Sequence, residues 1–292
     1  MLMYTYKLLI TSTSLALGVA SISHAAQTIF QDNFDTSLAS GVNTDVNFEL
    51  GGGRQSGGTT TSTYTEQTLT GAGGFINVNG SFTGGNLLLR NNYNSTGARA
   101  SGVVLDTNFA SILEGKRYQI SFDASMSIGA GAATDRWMSF YIMGARPGDI
   151  NAATVNAGAS DFGILFRDDG RANIWDDGAV DTNLSAGTTG VTLGSVYSVL
   201  IDVDETLTTP TVSLSINSSL IGAYDIDFEA GDAGLRYFGL RALIGAPGGT
   251  TNGALFDSRY DNLAITLIPE PSSSAILAGL LAYCAIAVRR RK

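Results

Sequence analysis

The sequence predicts an all-β protein, a two-sheet antiparallel β-sandwich, on three observations. Apolar residues alternate at period two, and no apolar period near 3.6 is sustained between the two ends. Turn-forming clusters separate the alternating runs at short intervals. Glycine is abundant, at 36 of 292 residues, whereas proline occurs five times. Many short strands joined by glycine-rich turns suit a sandwich better than a parallel sheet with crossover helices. Any helix is expected to be short.

The clearest strand is Arg117 to Ile128, where Tyr118, Ile120, Phe122, Ala124, Met126 and Ile128 share one face and Gln119, Ser121, Asp123, Ser125 and Ser127 the other. Tyr197, Val199, Ile201 and Val203 alternate in the same way, as do Val212, Leu214 and Ile216, and then Tyr224, Ile226 and Phe228. Trp137 to Met143 is apolar on both faces, which predicts a central strand with Trp137 in the core. Asp168-Asp169-Gly170 and Asn217-Ser218-Ser219 predict hairpin turns. Arg167 and Arg171 beside the first turn are expected to pair locally with its aspartates. Gly51 to Thr63 reads as a loop after a strand-like Val42 to Leu50. Thr28 to Phe34 opens the domain and Phe256 to Leu267 closes it, and these ends are expected to lie together in one sheet.

Both termini read as targeting segments. Residues 1–26 carry Lys7, an apolar stretch from Leu8 to about Val19 and a Ser23-His24-Ala25 cleavage signature, the pattern of a secretory signal peptide. Residues 269–292 hold Pro269-Glu270-Pro271, a charge-free run from Ala275 to Val288 and the basic end Arg289, Arg290, Arg291, Lys292. A transmembrane helix over about 273–288 is expected, with the arginines on the cytoplasmic side. The domain is thus 27–268. Of 17 Lys and Arg, five lie in the ends, and of 26 acids only Glu270 does, leaving 12 positive and 25 negative side chains, a net of −13. Such a charge repels nucleic acid and anionic lipid.

The lone Cys284 and lone His24 both fall in the termini. The domain therefore offers no disulfide, no Ser-His-Asp triad, no cysteine nucleophile and no zinc site built on Cys or His. Gly52 to Thr59 (GGRQSGGT) has Gly58 where a phosphate loop needs lysine, so phosphate binding is not expected. Carboxylate pairs are the remaining route to catalysis, because glycoside hydrolysis needs only two carboxyls about 5 to 9 Å apart. Asp202 with Asp204 and Asp225 with Asp227 each share a strand face, but acids on an acidic protein are expected as solvated surface. Calcium suits such oxygen ligands in an exported protein, with Asp32, Asp257 and Asp261 where the ends meet as one candidate set and Asp225, Asp227, Glu229 and Asp232 as another. Trp175, beside a turn, is the candidate for stacking on a sugar.

Two resemblances follow from these residues. DNF, FGILFRDDGRANIWDDG, VSLSINSSLIG and YDNLAI together resemble a concanavalin A-like or laminin-G-like jelly roll. That resemblance implies a carbohydrate-related domain in which a closing-strand Asp such as Asp261 often ligates calcium. The Asp202-Val203-Asp204-Glu205-Thr206 stretch departs from the Glu-x-Asp-x-x-Glu motif of the related glucanases at both glutamates. The tail resembles the PEP-CTERM sorting signal. This implies a Gram-negative cell with an exosortase that reads Pro269, Glu270 and Pro271, and association with exopolysaccharide at the cell surface or in a biofilm. The expectation is an exported, non-catalytic surface protein handled by the secretion machinery, with a carbohydrate-active hydrolase or lyase as the alternative.

Overall fold

In a computed structural model, the chain packs as a unit of Ala26–Ile268, apart from its two termini. The structure describes residues 25–34, 57–68, 74–77, 85–92, 99–128, 136–144, 161–176, 179–228, 234–244 and 255–269. The signal-peptide residues 1–24, the strand-like 42–50 and the tail from Glu270 onward lie outside them. Among the described residues no helix is long and apolar enough to cross a membrane.

Sixteen strands are described: β1 (Gln27–Asp32), β2 (Gly57–Gly58), β3 (Tyr64–Thr68), β4 (Gly74–Asn77), β5 (Leu87–Asn92), β6 (Arg99–Leu105), β7 (Arg117–Ile128), β8 (Arg136–Met143), β9 (Phe162–Arg167), β10 (Ala172–Asp176), β11 (Ala179–Leu184), β12 (Val196–Asp204), β13 (Thr211–Ile216), β14 (Ser219–Asp225), β15 (Tyr237–Ile244) and β16 (Leu255–Leu267). Two single helical turns, Ala110–Leu113 and Ala186–Thr189, are the only helices among the described residues. One sheet has nine strands, with the path β14-β13-β12-β7-β16-β1-β2 and β5-β4 branching from β16. The other has seven, ordered β11-β10-β9-β8-β15-β6-β3.

The chain ends meet as the sequence predicts, β1 pairing antiparallel with β16. β16 changes partner along its length, taking β5 over Leu255–Tyr260 and β1 over Leu263–Leu267. The switch falls at a bulge after Asp261, where Asn262 adopts a left-handed φ of 52°. Asparagine tolerates that conformation better than most residues, and its side-chain amide donates to Asp123 at 2.9 Å. Both predicted hairpins form. Asn217 and Ser218, with φ of 49° and 65°, make the two-residue turn between β13 and β14, the primed geometry that matches strand twist. Gly170 closes the β9–β10 hairpin at φ 83°.

The alternating runs place their apolar faces inward as expected: Tyr118, Ile120, Phe122, Ala124 and Met126 of β7 and Tyr197, Val199, Ile201 and Val203 of β12 are all buried. Between the sheets aromatic rings form a chain, Phe122 stacked on Phe140 at 5.4 Å, Phe140 on Phe238 at 6.2 Å, and Phe238 against Phe109 at 5.4 Å. Such contacts add about 0.5–1.5 kcal/mol each beyond area burial. One buried ion pair ties the sheets together: Glu205, just past β12, accepts from Arg236 Nε at 2.9 Å and Nη2 at 3.0 Å and from Tyr118 Oη at 2.8 Å. Burial works against the Arg236 charge, but Glu205 outweighs it and the guanidinium pKa is raised. The Phe228 ring covers the guanidinium at 3.4 Å.

Candidate functional site

The central strands β8 and β15 of the seven-stranded sheet are buried on both faces, with only Leu243 half-buried, which makes their outward face unusual. On β8, Met138, Phe140 and Ile142 point into the core, so Trp137, Ser139, Tyr141 and Met143 point outward. On β15, Phe238, Leu240, Ala242 and Ile244 are inward, leaving Tyr237, Gly239, Arg241 and Leu243 outward. The same alternation turns out Gly163, Leu165 and Arg167 on β9, Asn173 and Trp175 on β10, and Gly102 and Val104 on β6. Pairing registers set these in rows across the sheet. One row runs Gly102, Arg241, Ser139, Leu165, Asn173 and the next runs Val104, Gly239, Tyr141, Gly163, Trp175. Leu243, Trp137 and Arg167 form a third.

Glycines make room for the two largest polar groups. A Cβ at Gly239 would overlap the Tyr141 ring at Cε2 and Cζ and sit 2.7 Å from its Oη, so this tyrosine lies flat across β15. A Cβ at Gly102 would stand 3.2 Å from Arg241 Cγ, so the arginine stem leans along β6. Arg241 Cζ also lies 5.5 Å from the centroid of the Trp137 ring. Tyr141, Val104, Met143 and Tyr237 pack as a small apolar cluster of their own on this face.

The polar groups here are buried and unpaired. Arg241 is 1 % exposed and Tyr141 0 %, yet Arg241 Nε and Nη1, Tyr141 Oη, Ser139 Oγ and Trp175 Nε1 have no hydrogen-bond partner. Burial pulls the Arg241 pKa down to about 10, the neighbouring Tyr141 opposing that pull. Burial pushes the Tyr141 phenol up to about 12, with Arg241 opposing. Both groups therefore keep their protons at neutral pH. From the other sheet, the Tyr260 hydroxyl reaches across the core to the carbonyls of Arg241 at 2.7 Å and Ser139 at 2.9 Å, fixing the backbone beneath this row. At the β9–β10 margin, where Arg167 and Trp175 are half-buried, Arg167 Nε donates to Asn173 at 2.7 Å and Asn173 to Asn183.

Trp137 is buried, as the sequence predicts, but on the outward face of β8 rather than between the sheets, because a strand buried on both sides loses the polarity alternation that tells its faces apart. Trp175, the candidate stacking residue, lies on the same outward face, so both tryptophans of the chain share it. Asp169 pairs with Arg171 at 2.6 Å as the sequence predicts, whereas Asp168 takes Arg136 of β8 at 3.4 Å and Arg167 donates to Asn173. The candidate calcium ligands Asp32, Asp257 and Asp261 have protein partners. Asp32 accepts from Phe34 N at 2.8 Å and Tyr64 Oη at 3.1 Å. Asp257, opposite Arg90 on β5, is bracketed by Arg90 at 2.5 Å and Arg259 at 3.2 Å and so brings no net negative charge to a cation. Asp261 caps the Asn262 amide at 2.7 Å. Among the described residues no three carboxylates converge on one point. Glu229, Asp232, Glu270 and Arg289 to Arg291 lie outside the described residues, and Pro269 is the last residue within them.

Asp202 and Asp204 alternate with inward Val203 and so lie on the outer face of the nine-stranded sheet. There Arg117 holds Asp202 through two bonds at 2.9 and 3.0 Å, Gln119 adds a third at 2.8 Å, and Thr206 binds Asp204. Among the outward positions named above on β6, β8, β9, β10 and β15, none is Asp or Glu. Sequence reading missed Arg241; its one signal is an arginine inside the apolar run YFGLRALIG.

The fold has solved counterparts. An endo-1,3-β-glucanase from Streptomyces sioyaensis superposes with a TM-score of 0.50 at 13% identity, covering 85% of this chain and 98% of its own. The fold is a jelly roll. An endo-β-1,4-glucuronan lyase from Trichoderma reesei matches with a TM-score of 0.42 at 12% identity, over 69% of this chain and 93% of the enzyme. The carbohydrate recognition domain of Emp46p matches at 0.43 and 12%, over 80% and 96%. No family model matches the sequence, and no curated protein matches it.

Proposed function

We propose that the protein is an exported, non-catalytic surface protein that binds glycan on the outward face of its seven-stranded sheet. The observation that carries this reading is the outward face itself, where Trp137 lies against the buried, unpaired Arg241, with Ser139 and Tyr141 in the same and the adjacent row, and where Trp175 stands half-buried at the β9–β10 margin. Ligand sites combine aromatic walls with a few convergent polar groups, and an aromatic ring offers its face to the apolar side of a sugar. The sorting signals support export and delivery: a secretory leader, then Pro-Glu-Pro, an apolar run and a basic end, in the order an exosortase substrate presents them. On this reading Glu270 is read by a processing enzyme and the released domain joins the exopolysaccharide.

An enzyme is supported less well. Hydrolysis by paired carboxylates needs two acids facing one cleft, and the outward positions named above on β6, β8, β9, β10 and β15 hold none. Tyr141 beside Arg241 offers a phenol and a cation, the groups an elimination would use, but a phenol held at about 12 is a poor base at neutral pH. Because both tryptophans share the face, their fluorescence reports on it alone. Titration with a panel of neutral and acidic polysaccharides is expected to shift that emission saturably. An unchanged spectrum together with no retention on any glycan column would remove the binding role, and accumulation of unsaturated oligosaccharide would make the protein a lyase instead.

A further inference from the structure

We infer that the sugar seated at Trp175 carries an acetamido group, whose methyl lies on the indole ring and whose carbonyl accepts from the side-chain amide of Asn183. This rests on the glycan reading above and narrows it to N-acetylated glycans.

The outward face meets solvent at its β9–β11 margin. β11 is the last strand of the seven-stranded sheet, Asn183 on it is exposed, and Trp175 and Arg167 are half-buried. Asn183 stands directly opposite Asn173 and Trp175 opposite Val180, with one extra residue on β11 where the register slips between Ile174 and Trp175. A bulge at a sheet edge bends its strand and re-aims the side chains beside it. Asn183 and Trp175 are therefore diagonal neighbours on one face, about 7–8 Å apart. One sugar ring with its substituent spans that distance.

A ladder of hydrogen bonds fixes what this margin offers. Arg167 Nε donates to Asn173 Oδ1 at 2.7 Å, and Asn173 Nδ2 donates to Asn183 Oδ1. Both amide oxygens are thus occupied, and both amides are held in one orientation. The ladder starts at a cation and runs one way, so each bond polarises the next. It ends on the Asn183 NH2 group, which donates to no other described residue. Arginine and tryptophan side chains are donors only, so Arg167, Asn173 and Trp175 present no free acceptor here. The ligand atom that meets Asn183 has to accept.

Three common sugar substituents differ on that point. A hydroxyl accepts but also has a proton to give, and these side chains have nothing to take it. A carboxylate accepts only, but the domain has 25 acidic side chains to 12 basic ones, Arg167 Nε is committed to Asn173, and the face of an aromatic ring is itself negative. An anion over Trp175 is therefore opposed from both sides. An acetamido carbonyl accepts, carries no charge and brings a methyl group suited to the indole face.

The test compares ligands on the unaltered full chain, so it does not depend on a variant folding. Tryptophan fluorescence and calorimetry follow titration with a tetrasaccharide of β-linked N-acetylglucosamine, with the glucose tetrasaccharide of the same linkage and with a glucuronate tetrasaccharide. The N-acetylated sugar is expected to bind at least about ten-fold tighter than its glucose counterpart, a difference of about 1.4 kcal/mol. In Asn183→Ala, a change at an exposed position of an edge strand, that preference should vanish. Trp175→Ala should weaken binding of both neutral sugars. Equal affinity for the N-acetylated and glucose sugars would overturn the acetamido proposal and leave the glycan reading standing. Tighter binding of the glucuronate, or a preference that survives Asn183→Ala, would overturn it in the same way. Failure of every glycan to bind would overturn both.

Discussion

Replacing Gly239 with alanine probes the geometry of the outward face at a single methyl group. The new Cβ would overlap the Tyr141 ring, falling 2.7 Å from its Oη, where relaxed contacts between heavy atoms lie near 3.5–4.0 Å. The backbone at Gly239 is not in the left-handed region, so the cost comes from the tyrosine alone. Tyr141 is fully buried and has no room to step aside without moving its neighbours Val104, Met143 and Tyr237. Overpacking of this kind costs about 1–3 kcal/mol. The assay is urea unfolding followed by far-ultraviolet circular dichroism, on Gly239→Ala, Tyr141→Ala and the double variant. Tyr141→Ala alone should cost about 3–5 kcal/mol by analogy with other large aromatic truncations. In its background the added methyl should cost almost nothing, giving a coupling of about 1–3 kcal/mol. Strictly additive effects, or a neutral Gly239→Ala, would show that Tyr141 does not lie across β15.

Three further outcomes follow from the same structure. Glu205→Gln strands the buried Arg236 charge, so a loss of about 3–5 kcal/mol is expected in chemical denaturation; a loss under 1 kcal/mol would mean the pair is solvated. Burial raises the phenols of Tyr118, Tyr141, Tyr197 and Tyr260, Tyr141 to about 12, whereas unfolded phenols ionise near 10. Their contribution to stability is therefore whole below about pH 10 and is lost as pH climbs through 12, so ultraviolet titration should show these phenols ionising only as the chain unfolds. Intact-mass measurement of protein recovered from the cell surface should find the C-terminus cut near Pro269 to Pro271, and a chain still ending in Arg290, Arg291 and Lys292 would defeat the sorting proposal.

Strands exposed on one side were legible because their polarity alternates. The β7 and β12 runs showed which side chains go inward, and the two hairpins announced themselves by turn chemistry that few other conformations need. β8 was legible as a central strand for the opposite reason, being apolar on both faces, and that same property hid the face of Trp137. The candidate site was mostly illegible. Arg241, Tyr141, Gly239 and Gly102 come from three strands far apart in sequence, and only the pairing register brings them into adjacent rows. Carboxylates paired at strand spacing point instead to Asp202 and Asp204, which the fold places on the other sheet beside Arg117. In an acidic chain carboxylates are common enough that spacing alone selects little. A lone arginine in an apolar run is the rarer signal.

The central claim is that Arg241 serves a ligand rather than the fold, and the stability of Arg241→Met without ligand tests it most directly. Burial lowers this arginine from the ordinary 12.5 to about 10, which corresponds to about 3 kcal/mol of stability forgone at neutral pH. The sign follows from the lowered pKa: the penalty is complete below about pH 10 and relieved as pH rises toward 12.5. Methionine removes the charge and keeps an apolar stem. Thermal unfolding at pH 7 should therefore show the variant more stable, by about 3 kcal/mol or roughly 6–12 °C for a domain of this size. A variant destabilised by about 3–5 kcal/mol, the signature of a broken structural pair, would contradict the account.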